Sequence, residues 1–546
     1  MRRKQEWWLV AAVIVLAAGL RVALASPQRV VWGDEPFYLW LGRNWLTGHG
    51  YTFTGYSDVH HTPLYPLLTG ALYLVTHNLE LASRIWYIVL GALLGLPVYL
   101  LARRMYGRPT AVVALLFVSL HPALTAGVIH WGTLTEPPYY LFIYTGLLAA
   151  LLALEKRSAW AYAGAGAMFA LAYLTRPEAI AYLAAVGGYF LLVRLLERQL
   201  FTRSEALRLA AYVAGFALFF MPYAVYVHGE TGEWMISEKA GVTYVTSKSL
   251  AYSDVATFDR ATWGLDSTGR EVFFFSRQSY NVSMVQTILA DPQDFLRLFK
   301  RNVAQFAHLM ISSRMIPIYL LPFLFLGWFR RPWDRDRVRR EGFLLISCLP
   351  VTAFLLFFIQ ERYIATAIPS LLIWAAHGVR EGGEWLKETA AEITGRRISG
   401  PKQGAALLMI PALVSVAFFA VMIPRVDANT SLGSWNPAHR HVGLWMKANL
   451  PAGATVMSRY PAIAFHADAA RWVPTPNATW PEIRPYAEAK GVEYFVLEEH
   501  EVRKLRPQLS PLLVPETQPP DLKEVYEDNE DPDNKLVVFR YEGSGQ

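Results

Sequence analysis

Apolar runs of roughly 17 to 22 residues, broken by short polar stretches, recur along most of this 546-residue chain, and each is long enough to cross a bilayer as a helix. The first covers 7–25. Others fall near 81–101, 110–127, 137–154, 158–174, 177–195, 206–227, 303–329, 342–359, 363–379 and 404–424. The pattern predicts an all-α polytopic membrane protein with about 11 crossings. Residues 62–77 are apolar too, but short and interrupted by Pro63 and Pro66. As a crossing they would put Arg103, Arg104, Arg108 and every later basic loop outside, against the inward bias of Lys and Arg. They are therefore expected to form a juxtamembrane helix on the outer surface. Beyond Pro424 the apolar runs stop. ATVMSRYPAIAFHAD, VEYFVLEE and KLVVFRYE read as short strands, and PEIRPYAEAKG as a helix closed by glycine. The expected organisation is a membrane domain over 1–424 and a soluble extracytoplasmic α/β domain over 425–546. The membrane domain has a first outer loop at 26–80 and a long, partly ordered outer loop at 228–302.

Composition supports this division. Hydrophobic residues make up 53% of the chain and charged residues 17%, against about a quarter charged in soluble proteins. The net charge of +7 sits in short loops such as RRPWDRDRVRR at 330–340. It therefore encodes topology, and no nucleic-acid surface is expected. The single cysteine, Cys348, lies in an apolar run, which excludes disulfides and thiolate metal cages within the chain. Arg2, Arg3 and Lys4 precede the first run, and its end, Ala23-Leu24-Ala25 before Ser26, resembles a signal-peptidase site. Retained or cleaved, it leaves the next loop outside.

Ionisable residues gather where these runs meet the outer surface, a costly place for charge without a purpose. Asp34 and Glu35 follow the first run; as helix-capping residues they would only solvate a loop. Asp58, His60 and His61 precede the two prolines and supply ligand types for a divalent cation, or else a hydrogen-bonded surface loop. Glu136 in WGTLTEPP opens another run, where it also suits a helix entered through Pro137. Arg176 and Glu178 in LTRPEA, and Arg362 and Tyr363 in QERYIATAIP, mark two more outer edges. Either arginine alone could snorkel, but a planar guanidinium is also suited to phosphate.

WGDEPFY followed by HHTPLYPLL resembles the first outer loop of the GT-C polyprenyl-phosphate-sugar glycosyltransferases. These include protein O-mannosyltransferases, the ArnT-like aminoarabinose transferases of lipid A and RgtA/B/C/D-like enzymes. The resemblance implies a GT-C fold in the bacterial inner membrane with its site on the periplasmic side. It also implies inverting transfer of a sugar from a polyprenyl phosphate to a glycan, lipid or protein acceptor. On this resemblance Asp34 is the general base, with Glu35 and Glu136 as further acidic residues of the catalytic site. Arg176, Arg362, Tyr363 and His61 bind the donor phosphate, and Asp58 and His60 hold a metal if one is used. The Arg-Tyr before Pro369 looks like the family's late RY-x-x-P pattern. His60-His61 replaces the usual Glu-Lys of the lipid A enzymes, and Phe37 replaces the usual arginine after the acidic pair, with Arg43 as a weak substitute.

A polyprenyl-diphosphate glycan ligase would need the same base and clamp. A transporter or flippase would instead carry mid-span charges and two-fold repeats, which this chain lacks. The topology has a direct test in a Cys348→Ala background. Cysteines at Ser57 and Ser510 should react with an impermeant reagent on intact cells, and one at Thr202 should not; labelling at 202 instead would invert the orientation.

Overall fold

The computed structural model describes residues 3–25, 29–199, 202–235, 239–280, 282–312, 314–329, 332–394, 401–425 and 436–543. Ser26, and with it the cleavage point, lies outside them, as do the first two residues of the basic run at 330–340. Five of the described helices are long and apolar enough to cross a membrane: Lys4–Leu24, Leu79–Tyr106, Glu136–Lys156, Ala179–Leu196 and Arg203–Thr231. Leu64–Thr76, Arg108–Leu120, Ile318–Phe329 and Pro411–Arg425 are apolar but shorter.

The eleven expected crossings are not matched one for one. The run at 303–329 is two elements, an amphipathic helix Pro292–Met310 bearing Arg297, Lys300 and Arg301, and a separate helix Leu321–Phe329. The run at 342–359 begins within helix Arg335–Cys348 and tightens into a 3-10 turn over Leu349–Leu356. There Pro350 lacks the N–H that an α-helix would use.

Between helices in lipid, small residues allow the close approach that packing needs. Gly42 in helix Glu35–Leu46 meets Gly70 in helix Leu64–Thr76, so that a Cβ on Gly42 would collide with the Pro66 carbonyl. One on Gly70 would strike the Gly42 carbonyl. The 62–77 segment thus forms a helix packed along its neighbour. His77 ends it in the left-handed conformation at φ 50°.

The 228–302 segment, expected to be only partly ordered, is largely helical. It contains Lys239–Ala251, Val255–Trp263 and Met284–Ala290, and then enters Pro292–Met310. Asp254 and Asp291 start two of these helices by accepting the backbone N–H groups of Thr257 (2.9 Å) and Asp294 (3.0 Å).

The C-terminal region holds a five-stranded sheet of order β2-β1-β3-β5-β4. The strands are β1 (Thr455–Ser458), β2 (Arg471–Pro474), β3 (Tyr494–Glu498), β4 (Leu522–Asp528) and β5 (Leu536–Tyr541). β2, β1 and β3 run parallel, and β5 and β4 are antiparallel. The stretch ATVMSRYPAIAFHAD is a strand only in its first half; Pro461 then opens helix Pro461–His466. β2 and β4 are not among the strands expected from sequence. The helix Trp480–Lys490 forms as expected and closes on Gly491 at φ +63°.

This sheet does not stand apart from the helices. Trp472 on β2 is fully buried against Phe37 (5.1 Å), Phe53 (6.3 Å) and Trp263 (6.0 Å), from the first loop and the 228–302 segment. Asp259, one turn before Trp263, accepts from Arg459 (2.6 Å), Arg506 (2.9 Å) and Asn477 (2.8 Å). Burial pushes its carboxyl pKa up, but the two guanidiniums outweigh that and bring it below the ordinary value. One end of the helical bundle is therefore capped by a continuous aromatic core.

The Gly42–Gly70 crossing gives a stability prediction. Gly42→Ala should cost about 1 to 3 kcal/mol by overpacking. Gly164→Ala, where an added Cβ meets nothing within 4 Å, should be neutral or stabilising by up to about 1 kcal/mol. Thermal unfolding of both variants in detergent would check this.

Candidate active site

Under that cap lies a cavity of about 380 Å³, lined by residues from five separate stretches of the chain. The acidic pair is divided at its edge. Gly33, at φ +58°, makes a turn that a side chain would strain, and Asp34 follows just before helix Glu35–Leu46. Asp34 lines the cavity, is exposed, and does not cap the helix with its side chain.

Glu35 turns the other way. Its carboxylate is 1% exposed and takes a two-pronged pair from Arg29 (2.6 and 3.1 Å). It also accepts the backbone N–H groups of Trp32 (3.1 Å) and Thr133 (2.9 Å) and the Thr133 hydroxyl. With its lone pairs occupied, Glu35 ties the first loop to the 131–135 segment. This is the arrangement of a carboxylate that positions the loop beside Asp34.

Glu136 begins helix Glu136–Lys156, with Pro137 and Pro138 fixing the entry. Its buried carboxylate accepts from Arg176 at 2.7 Å, and the Arg362 guanidinium lies 3.9 Å away. Arg176 also reaches Glu178 (3.1 Å), and its guanidinium sits over Tyr139 (5.7 Å) and Tyr363 (5.3 Å). Arg362 donates to Gln360 (3.1 Å) and the Tyr363 hydroxyl (3.1 Å), and lies over the rings of Trp131 and Tyr363, both at 5.0 Å. Burial lowers the pKa of both arginines. Glu178 and Glu136 reverse this for Arg176, and Tyr363 and Glu136 for Arg362, so both values end above the ordinary one. Asp34 adds to the charge that Arg362 feels. The cavity thus brings the exposed Asp34 carboxylate alongside two ordered guanidiniums.

Asp58, His60 and His61 come together as the sequence suggests. Asp58 accepts the His61 backbone N–H (2.8 Å) and faces its Nδ1 at 3.1 Å, while the His60 Nδ1 is 4.0 Å away. Burial raises the Asp58 pKa, and the interactions with His61 and His60 outweigh it. His60 stacks on Phe274 at 4.8 Å, and His61 lies edge-on to Tyr38 at 5.0 Å. Both histidines line the cavity. The metal expected at Asp58 and His60 does not fit this arrangement. Among the described residues no group of three or more His, Cys, Asp or Glu could hold an ion, and the Asp58 carboxylate is taken up in orienting His61. Arg43 is corrected as well, since it pairs with Asp468 (2.9 Å) on the C-terminal region. Sequence reasoning missed Trp131, Tyr38, Ser247, Thr262 and Trp263. The signal for the last three was the length of the 228–302 segment, too long for a structureless connection.

The geometry has known counterparts. The family model for dolichyl-phosphate-mannose-protein mannosyltransferases matches residues 60–226. ArnT from Cupriavidus metallidurans, solved bound to undecaprenyl phosphate, superposes with a TM-score of 0.61 at 15% identity over 98% of each chain. The chain has the GT-C glycosyltransferase fold. Two further GT-C structures agree. AglB from Archaeoglobus fulgidus, in complex with an inhibitory peptide and a dolichol-phosphate, gives 0.58 at 16% identity over 92% of this chain and 70% of that one. Mycobacterial arabinofuranosyltransferase AftD gives 0.53 at 13% over 100% and 40%. No curated protein sequence matches this chain.

Glu136 separates two like charges, which gives a stability prediction. Glu136→Gln keeps the shape but leaves Arg176 and Arg362 without their shared counter-charge, and should cost about 3 to 5 kcal/mol. Glu178→Gln, at a side chain 34% exposed, should cost less than about 1 kcal/mol. Thermal denaturation in nanodiscs would compare the two.

Proposed function

We propose that this protein transfers a sugar from a polyprenyl-phosphate donor to a glycan, lipid or protein acceptor on the outer face of a bacterial inner membrane, by inverting displacement. The observation that carries the reading is the pairing, in one cavity, of the Asp34 carboxylate with the Arg176 and Arg362 guanidiniums. Asp34 takes the proton of the acceptor hydroxyl. The hydroxyl oxygen attacks the anomeric carbon from the face opposite the phosphate, and the carbon–oxygen bond to the phosphate breaks. The electron pair leaves on the carrier phosphate, where Arg176 and Arg362 stabilise the growing charge. Tyr363 holds both arginines, and His61, oriented by Asp58, is a further donor to the phosphate. Among the described residues the side chains around Asp58 do not supply a metal centre. A lipid-linked donor also fits a cavity at the membrane edge, because the carrier can arrive laterally. The ArnT and AglB structures, solved with undecaprenyl phosphate and a dolichol-phosphate, are in keeping with that donor class.

The test incubates the purified protein in nanodiscs with undecaprenyl-phosphate mannose, glucose and arabinose, together with diphosphate-linked glycans, and detects the released carrier. Release of the monophosphate is expected. Release only from diphosphate donors would make it a ligase, and release from neither would reject transfer.

Two variants separate the roles. Asp34→Asn should lower turnover by about 100- to 10,000-fold with donor affinity little changed. Arg362→Ala should weaken donor binding by about 2 to 5 kcal/mol, with only part recovered by Arg362→Lys because the fork geometry is lost. Near-normal turnover by Asp34→Asn would remove it from the chemistry.

A further inference from the structure

The cavity wall formed by helices Lys239–Ala251 and Val255–Trp263 differs in kind from the wall that carries Asp34 and the arginines. Every side chain it contributes to the lining is uncharged. Three of its buried polar atoms have no hydrogen-bond partner among the described residues: Ser247 Oγ, Thr262 Oγ1 and the Trp263 indole N–H. These residues are 2%, 3% and 8% exposed. Thr246 beside them is satisfied by the Val242 carbonyl at 2.8 Å, so the wall is not simply short of acceptors throughout. A buried polar group without a partner is costly, and native proteins keep few of them. Three on one wall of one cavity call for a ligand that supplies the missing bonds.

We propose that this wall is a saccharide-reading subsite, in which Ser247, Thr262 and the Trp263 indole hydrogen-bond the hydroxyl groups of a sugar ring. The inference rests on the transferase reading and adds which residues read the sugar. Two of the three groups are hydroxyls, which both donate and accept, as sugar hydroxyls do. An anion would instead call for a cation, and this wall has none. Phe258 and Phe274, which also line it, offer aromatic surface to the apolar C–H faces of a ring. The wall is also held in place without substrate. Asp259 is locked to Arg459 and Arg506, and Trp263 packs on Trp472, so the hydroxyls are ordered beforehand. The sugar can be the one on the donor or one on the acceptor, and the chemistry of recognition is the same for both.

The experiment uses the full-length protein in nanodiscs and three near-isosteric variants, Ser247→Ala, Thr262→Val and Trp263→Phe. The binding probes are bare undecaprenyl phosphate, its mannose, glucose and arabinose esters, and methyl mannoside and methyl galactoside as free acceptors. Each variant is expected to bind the bare carrier as wild type does and to lose about tenfold toward a sugar-bearing probe. Loss of the preference for esters over the bare carrier assigns the subsite to the donor sugar. An unchanged ester preference with weakened methyl-glycoside binding assigns it to the acceptor. Thermal stability without ligand should hold or rise in Ser247→Ala and Thr262→Val, because an unpaired buried hydroxyl has been removed; Trp263→Phe gives up part of its packing on Trp472 and is judged by sugar preference alone. A merely structural role predicts the opposite, lower stability with unchanged sugar preference, and that result would overturn the proposal. So would variants of wild-type stability whose ester preference and methyl-glycoside affinity both match those of the wild type. Failure of the wild type to bind the bare carrier would instead sink the polyprenyl-phosphate reading, and this subsite with it.

Discussion

Two guanidiniums close together in a poorly hydrated cavity repel each other unless a counter-charge lies between them. In this chain that charge is Glu136, 2.7 Å from Arg176 and 3.9 Å from Arg362. The three residues come from distant parts of the sequence, so satisfying them requires the start of helix Glu136–Lys156, the turn at 175–178 and the segment at 360–363 to meet at one place. Tyr363 and Trp131 flatten the remaining freedom of the two side chains. The positive charge of both side chains is thereby held in place by the protein itself, and arranging charge beforehand is how a site gains most of its electrostatic effect.

A second constraint acts around it. Glu35 anchors the first loop on Arg29 and Thr133, which leaves its neighbour Asp34 to face the cavity. The roof is set independently by the Asp259 cluster and by Trp472. Floor and roof thus have separate supports, and the charged and uncharged walls of the cavity can differ in chemistry without either distorting the other.

Much of this was legible in the sequence, and the reasons differ from residue to residue. Asp34, Glu136, Arg176 and Arg362 stood out because charge is scarce at the ends of apolar runs. Residues 62–77 were readable as a helix too short for a span because of their length and the two prolines at their start. That Glu35 would serve mainly to position the loop was legible from its place beside Asp34, but its partners Arg29 and Thr133 were not, since Thr133 lies about a hundred positions later. Arg43 looked available because Asp468, its partner, lies more than four hundred positions later, where no local pattern points. β2 is four residues long and β4 is charged along much of its length, so neither carries a clear alternation. The broken run at 303–329 misled because a window of apolar character spans an amphipathic helix and its apolar neighbour alike. Ser247 and Thr262 were invisible because hydroxyl residues in a polar segment look like ordinary surface.

The shared aromatic core has a consequence for how the protein is made. Phe37, Trp40 and Phe53 belong to the first stretch to emerge after the leading helix, whereas their buried partners Trp472 and Phe465 are synthesised near the end. Until that last region has folded, these early aromatic side chains have one another, His61 and Phe275 to pack against but lack Trp472 and Phe465. Every residue that lines the cavity lies between Trp32 and Tyr363, so a chain stalled or cut before β2 would carry the whole lining yet lack Trp472 and Arg506, which brace Trp263 and Asp259 from behind.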